Sequence, residues 1–272
     1  MSSPHAKQSS RPIGVFDSGI GGLTVTRALM ERLPFEDIVY FGDTARVPYG
    51  VKSVATIEHF AQQMVDFLLQ HEVKLLVIAC NTISAVAAAK IRARVNIPVI
   101  DVIEAGARSA VEATRNDAIG VIATPTTVNS NAYARGVHAL KADARVYSQA
   151  CPLLVPLVEE GWLDHPVTRL TVQEYLKPVL AEGIDTLVLG CTHYPLLKPL
   201  LAQEAGSNIR LVDSAVSVAE QVAETLAALD LANPQRGEPT YRYYVTDIPL
   251  RFQTVGERFL GRSLRHLEMV QL

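Results

Sequence analysis

Cysteine is scarce in this chain: three residues in 272, at positions 80, 151 and 191. An odd set of three cannot build a disulfide framework, and no pair has the Cys-x-x-Cys spacing of a zinc or thioredoxin-type site. No spacing of His, Cys and carboxylates suggests a metal either, so free thiols are expected. Positive charge is not in excess. The net charge of −3 leaves no basic field and argues against nucleic-acid binding as the main activity. No apolar stretch approaches the length of a membrane span, which argues against a membrane partner. The N-terminal "MSSPHAKQSSRP" is polar and lacks the apolar core of a secretory signal. It reads as a loose tail on a cytoplasmic protein. Charged residues make up only 19% against 49% hydrophobic, so a sizeable core is expected and global disorder is not.

What is present is an alternation. Strand-like runs fall at 12–17, 37–42, 74–80, 98–101, 118–123, 144–150, 185–191, 209–213 and 240–246. Helical periodicity fills most of the gaps, as in "SVATIEHFAQQMVDFLLQHEV" (53–73) and "AVSVAEQVAETLAALDLA" (215–232). Such alternation predicts an α/β fold with parallel sheets covered by helices on both faces. A faint repeat runs through it. "IGVFDS" (13–18) resembles "IGVIAT" (119–124), and a strand ending in cysteine follows each start, Cys80 after 67 positions and Cys191 after 72. Chance similarity of short apolar strands explains this as readily as descent from a repeat. If the repeat is real, two similar doubly wound domains face one another. Both cysteines then lie at the carboxyl ends of strands, where open α/β sheets bind ligands.

The chemistry-bearing stretches each admit a plain alternative. A free cysteine at a strand end is most often a small buried hydrophobe, and Cys151 in "SQACPLLVP" is read that way. Cys80 is followed by Asn81 and Thr82, and Cys191 by Thr192 and His193. These are capping and hydrogen-bonding types, and a thiol at a helix start gains from the positive end of the dipole, which lowers its pKa. "FDSGIGGLTV" places Asp17 before a glycine-rich turn. Gly19 and Gly21 fit the dinucleotide fingerprint but Thr24 breaks it, so a nucleotide is not implied. The turn still aims backbone N–H groups at an anion, while the plain reading of Asp17 is a helix cap. "YFGDTARVPYG" ends in a turn that reads as a plain loop, and "ATPTTVNS" is dense in groups that cap a helix or bind a small polar ligand. Of the adjacent Glu159 and Glu160, at most one is expected to face a cleft.

Taken together, "VFDSGIGGLTV", "YFGDTARVPYG", "VIACNTISA", "IGVIATPTTVNS", "LVPLVEEG" and "LGCTHYPLL" resemble the cofactor-independent glutamate racemases over about residues 13 to 215. The "GCTHYPLL" form is similar to the glutamate enzymes, whereas aspartate racemases more typically place an acid just after Cys-Thr. The resemblance implies two pseudo-symmetric α/β domains with the active site in the cleft between them. The first would take 1–98 plus 212–272 and the second 99–211. It also implies no cofactor and a two-base reaction, with Cys80 and Cys191 exchanging protons with opposite faces of the α-carbon. Carried over, Asp17, His193 and, more weakly, Glu159 resemble assistants to the thiols. Asp17, Ser18, Tyr49, Gly50, Asn81, Thr82, Thr192 and His193 resemble the substrate contacts, with Thr124 and Thr127 as additional ones. The implied role is supply of D-glutamate for peptidoglycan. A homodimer and a cell-wall precursor as activator are left open. After about residue 232 no motif stands out.

Three rival readings remain at this point. An aspartate or hydantoin racemase would share the two cysteines. A non-enzymatic, two-lobed amino-acid-binding protein would bind without isotope exchange. A thiol hydrolase using Cys191 with His193 would leave Cys80 dispensable.

Overall fold

The computed structural model describes residues 8–235, 237–248 and 252–272. Residues 1–7, part of the stretch expected to form a loose tail, lie outside the described residues. The chain begins with β1 (Ile13–Asp17), α1 (Leu23–Arg32), β2 (Ile38–Gly42), α2 (Val54–Gln70), β3 (Leu75–Ile78), α3 (Asn81–Arg94), β4 (Val99–Asp101) and α4 (Val102–Ala113). It continues with β5 (Ala118–Ala123), α5 (Pro125–Asn129), α6 (Ala132–Leu140), β6 (Arg145–Ala150), α7 (Leu154–Glu159), α8 (Pro166–Ala181), β7 (Thr186–Gly190), α9 (Lys198–Ala205), β8 (Arg210–Asp213) and α10 (Ser214–Ala228). It closes with β9 (Tyr241–Val245), α11 (Phe252–Leu260) and β10 (Leu267–Met269). The nine strand-like runs of the sequence all form strands, each within a few residues of its expected limits. β10 is the one strand added, and with three half- or fully exposed residues it carries no apolar signal.

The strands form two parallel sheets, ordered β10-β9-β2-β1-β3-β4 and β6-β5-β7-β8. The segment β2-β1-β3-β4 of the first has the same order as the whole of the second, so β1 corresponds to β5 and β3 to β7. The faint repeat in the sequence is therefore a repeat of topology. In both sheets the order reverses beside the strand that opens the unit, and Cys80 and Cys191 follow the strands next to that point. Helices cover both faces of each sheet, which is why β1, β3 and β7 are buried end to end and read as continuous apolar runs.

The two faces of the first sheet build different cores. Val15, Leu75 and Val77 join Val102, Ala105, Val218 and Val222 in a core that continues into the second sheet through α4 and α10. Phe16, Ile78 and Cys80 pack under α2 and α3 with Met64, Leu68, Ile83 and Ile91. Helix starts are fixed locally. Ser53 Oγ accepts from the Thr56 N–H at 3.3 Å, Asp101 from Ile103 and Glu104 at 2.8 and 3.0 Å, and Asp213 from Ala215 at 3.0 Å.

The expected unit boundaries cut through strands. Val99–Asp101, expected with the second unit, hydrogen-bonds to β3 in the first sheet. Val212 and Asp213, expected with the first, pair with β7 in the second. In each case the whole strand pairs within one sheet, because a buried ladder left half-paired would strand its backbone groups.

At the amino ends of the first sheet's strands, Lys74 is fully buried against a buried Glu36 at 2.5 Å and also donates to the Ser9 carbonyl. Glu36 accepts in turn from the Asn233 N–H at 2.7 Å, tying the chain's late segment to β3. Lys74→Ala would leave the carboxylate buried without its cation. The expected loss is about 3–5 kcal/mol in urea unfolding, and the double variant Lys74→Met with Glu36→Leu should recover most of it.

Candidate active site

β3 ends at Ile78 and α3 starts at Asn81, so Cys80 occupies the helix N-cap and Asn81 and Thr82 open the helix, as the sequence suggested. Only 5% of Cys80 is exposed. Its thiol donates to Ser18 Oγ at 3.3 Å. Asp17, at the end of the neighbouring β1, is buried as well, and one carboxylate oxygen accepts from the Gly19 N–H at 2.8 Å while Oδ1 has no hydrogen-bond partner. The sequence suggested that the helix start would lower the thiol pKa. The structure reverses that expectation: burial pushes Cys80 up to about 12, and the adjacent Asp17 adds to the rise, outweighing the Ser18 and Ile83 hydrogen bonds. Burial raises Asp17 too, offset in part by the Gly19 N–H and by the charge of His193.

Cys191 follows β7, but a turn and a short 3-10 segment, Tyr194–Leu197, stand where an α-helix would begin. Its electrostatics therefore come from side chains. His193 Nδ1 lies 3.9 Å from Cys191 Sγ, and Nε2 lies 2.9 Å from Glu159 Oε1, on the last residue of α7. Burial pulls the imidazole down, but Cys191 and Glu159 outweigh it and raise His193 to about 10. The shift favours the imidazolium, the form that can donate from both nitrogens. Cys151 behaves as read: it is fully buried and donates only to the Gln149 carbonyl, at 3.5 Å.

The two loops meet. Thr24 Oγ, from α1, donates to the Thr192 carbonyl at 2.9 Å. A Cβ on Gly21 would stand 2.2 Å from Thr192 Oγ1 and 2.6 Å from His193 Nδ1, so only glycine allows this approach. Thr82 Oγ1 lies 3.1 Å from Thr124 Oγ1, which is 3.1 Å from Thr127 Oγ1, and Thr126 donates to the Gly50 carbonyl at 2.6 Å. Tyr133 OH donates to Asn81 Oδ1 at 3.0 Å, leaving the buried Asn81 Nδ2 without an acceptor. Tyr49 is buried and donates to the Asp43 carboxylate, which also accepts from Arg46 at 2.6 Å and Thr246 at 2.8 Å. All the site residues expected from the sequence thus gather at the carboxyl ends of the strands of both sheets.

Several supporting residues carry no signal of their own in the sequence. Asp43 and Arg46 sit inside "YFGDTARVPYG" and were overshadowed by its terminal turn. Thr24 and Gly21 lie in the glycine-rich stretch, where their partners on the far sheet leave no local signal. Tyr133 lies on α6, and nothing in its neighbourhood marks it. Among the described residues no cluster of His, Cys, Asp and Glu could hold a metal ion.

The sequence and the fold match known proteins over nearly the whole chain. A family model described as Asp/Glu/Hydantoin racemase matches residues 13–222. A glutamate racemase of Syntrophus aciditrophicus (strain SB) is 68% identical over 261 residues, covering 96% of this chain and 97% of the relative. The crystal structure of a glutamate racemase from Francisella tularensis subsp. tularensis SCHU S4, in complex with D-glutamate, superposes with a TM-score of 0.91 at 47% identity, covering 97% of this chain and 98% of that one. A glutamate racemase from Escherichia coli, solved with L-glutamate and the activator UDP-MurNAc-ala, superposes at 0.78 with 28% identity, over 96% and 98% of the two chains. The chain belongs to the Asp/Glu/hydantoin racemase family.

Proposed function

We propose that this chain interconverts L- and D-glutamate by two proton transfers, with Cys80 and Cys191 acting on opposite faces of the α-carbon. One observation carries the mechanism: two buried thiols follow corresponding strands of two like-ordered sheets, and each has its own proton-handling neighbour. Asp17 stands beside Cys80, and His193 beside Cys191. The relatives' activity supplies the substrate. Two lobes divided after Asp101 and Asp213 would form the cleft, and the cellular role on this reading is supply of D-glutamate for peptidoglycan in the cytoplasm.

The charges set the direction of each half-reaction. Burial and Asp17 favour the thiol at Cys80, and His193, whose charged form is favoured, stands beside Cys191. With Cys191 as the base and Cys80 as the acid, Cys191 takes the α-proton of L-glutamate and Cys80 delivers a proton to the other face, giving the D isomer. For D-glutamate the roles reverse: Cys80 passes its proton to Asp17 and Cys191 receives one from His193, after which Cys80 takes the α-proton and Cys191 delivers one to the other face. This is general acid–base catalysis, in which each group must start in the correct protonation state. The α-proton is weakly acidic, so the carbanionic intermediate needs fixed donors in a site closed to water. Asn81 Nδ2 is a donor without an internal acceptor, and the hydroxyls of Ser18, Thr82, Thr124, Thr127 and Thr192 surround the same region. Tyr49 and Gly50, held by Asp43 and Thr126, close the side nearest α5. Glu159 acts on the reaction through His193.

Cys80→Ala and Cys191→Ala should each lower racemisation by about 10²–10⁴-fold in polarimetric assays. The wild-type protein should take up solvent deuterium at Cα of both glutamate isomers. An active Cys80→Ala protein would overturn the two-base scheme, and faster turnover of aspartate would overturn the substrate.

The pH dependence follows from His193. Its pKa is raised, so the imidazolium is kept below about 10 and lost as pH rises through that value. Activity that needs it should fall along an alkaline limb near pH 10. Glu159→Gln removes one of the two groups that hold the proton, so the limb should move down by about one pH unit, less if solvent screens the half-exposed carboxylate. A pH–rate profile that Glu159→Gln leaves unchanged would remove Glu159 from the relay.

A further inference from the structure

The late segment of the chain carries no motif, yet it reaches the second thiol's partner. Phe259, on α11, is fully buried and packs against His193 with ring centroids 5.0 Å apart and planes at 79°. The polar partners of His193 among the described residues lie in the plane of its ring, Cys191 at Nδ1 and Glu159 at Nε2. Two contacts in the plane leave the ring free to tilt about the line joining them. Gly21 lies against the Nδ1–Cε1 edge, and Phe259 supplies the perpendicular wall that stops the tilt.

The helix that carries Phe259 is itself fixed in place. A Cβ on Gly256 would stand 2.6 Å from Leu264 Cδ1 and 3.3 Å from Leu23 Cδ1, so glycine lets α11 settle against α1. Arg258 lies over Gly161, two residues beyond Glu159. A Cβ on that glycine, whose φ is +78°, would stand 2.7 Å from Nη1. One helix from the first sheet's unit thus touches the His193 ring and the turn that follows Glu159.

We propose that Phe259 is a positioning residue: it holds the His193 ring in the orientation that keeps Nδ1 on Cys191 and Nε2 on Glu159, so that α11 completes the proton-handling pair of the second thiol. The inference rests on the racemase reading for its effect on turnover, but not for its effect on the histidine. The charged and titratable groups facing His193 are Cys191, Glu159 and, from the first sheet, Asp17, with Arg258 the basic group of α11 over the adjoining turn. None of them is altered by changing Phe259. A ring free to tilt would weaken the two contacts that favour its proton.

Phe259→Leu keeps an apolar side chain but removes the flat face, Phe259→Met does the same should the leucine variant not fold, and Phe259→Tyr retains the ring. The His193 titration is followed by NMR of ring-labelled histidine in the full chain, assigned with His193→Gln, alongside steady-state glutamate racemisation. The expected result is a His193 titration at least one pH unit lower in Phe259→Leu or Phe259→Met, with kcat down about tenfold and KM changed less than threefold. Phe259→Tyr should keep the wild-type titration and at least half the turnover. An unchanged His193 titration in folded Leu or Met variants would overturn the proposal, whatever their turnover, because it would leave Phe259 with a packing role alone. Absence of racemisation by the wild-type protein would instead defeat the racemase reading, and the NMR titration would still decide whether Phe259 positions the ring.

Discussion

The structure depends on the close approach of two strand-end loops from opposite sheets. Gly21 lies against Thr192 and His193 at a separation that no side chain would permit, and Thr24 seals the contact by donating to the Thr192 carbonyl. Close packing makes such a junction a geometric constraint rather than a loose encounter. The Thr82–Thr124 and Tyr133–Asn81 hydrogen bonds pin the same seam further along. Each of these contacts links segments that follow strands of different sheets, so the candidate site draws on both.

Burial at this seam also decides the electrostatics. The same removal of water that raises the Cys80 thiol raises Asp17 beside it, whereas His193 rises against its own desolvation because Cys191 and Glu159 favour its charge. Two thiols that look alike in sequence therefore rest in unlike settings. The enantiomers of glutamate have equal free energy in water, so kcat/KM must be the same in both directions however unequal the two halves are. On the proposed two-base scheme an asymmetric pair is compatible with that equality, because each turnover would leave the protein ready for the opposite isomer.

Much of this was readable in the sequence for physical reasons. Strands covered by helices on both faces must be apolar throughout, so β1, β3, β5 and β7 announced themselves, and a polar residue at the end of such a run marks the rim where ligands bind. That pattern alone puts Asp17, Cys80, Thr124 and Cys191 at the rim. Less was readable wherever the relevant partner lies far along the chain. Asp43 looked like part of a turn because Tyr49, Arg46 and Thr246 converge on it only in three dimensions. β10 and Phe259 were silent because an exposed three-residue edge strand and a single buried aromatic on a short helix have no pattern of their own.

By itself, the sequence determined the α/β alternation, the two-fold repetition of strand order hinted at by "IGVFDS" and "IGVIAT", and the identity of the two thiols at the carboxyl ends of their strands. These follow from local periodicity and from the chemistry of single residues, which need no knowledge of distant neighbours. The tertiary structure alone decided that β4 and β8 run past the expected boundaries, that burial and Asp17 raise the Cys80 thiol although it caps a helix, and that His193 lies between Cys191 and Glu159 with Phe259 across its face. Each of these depends on desolvation and on contacts between residues far apart in the chain, quantities that exist only once the two sheets have closed on one another.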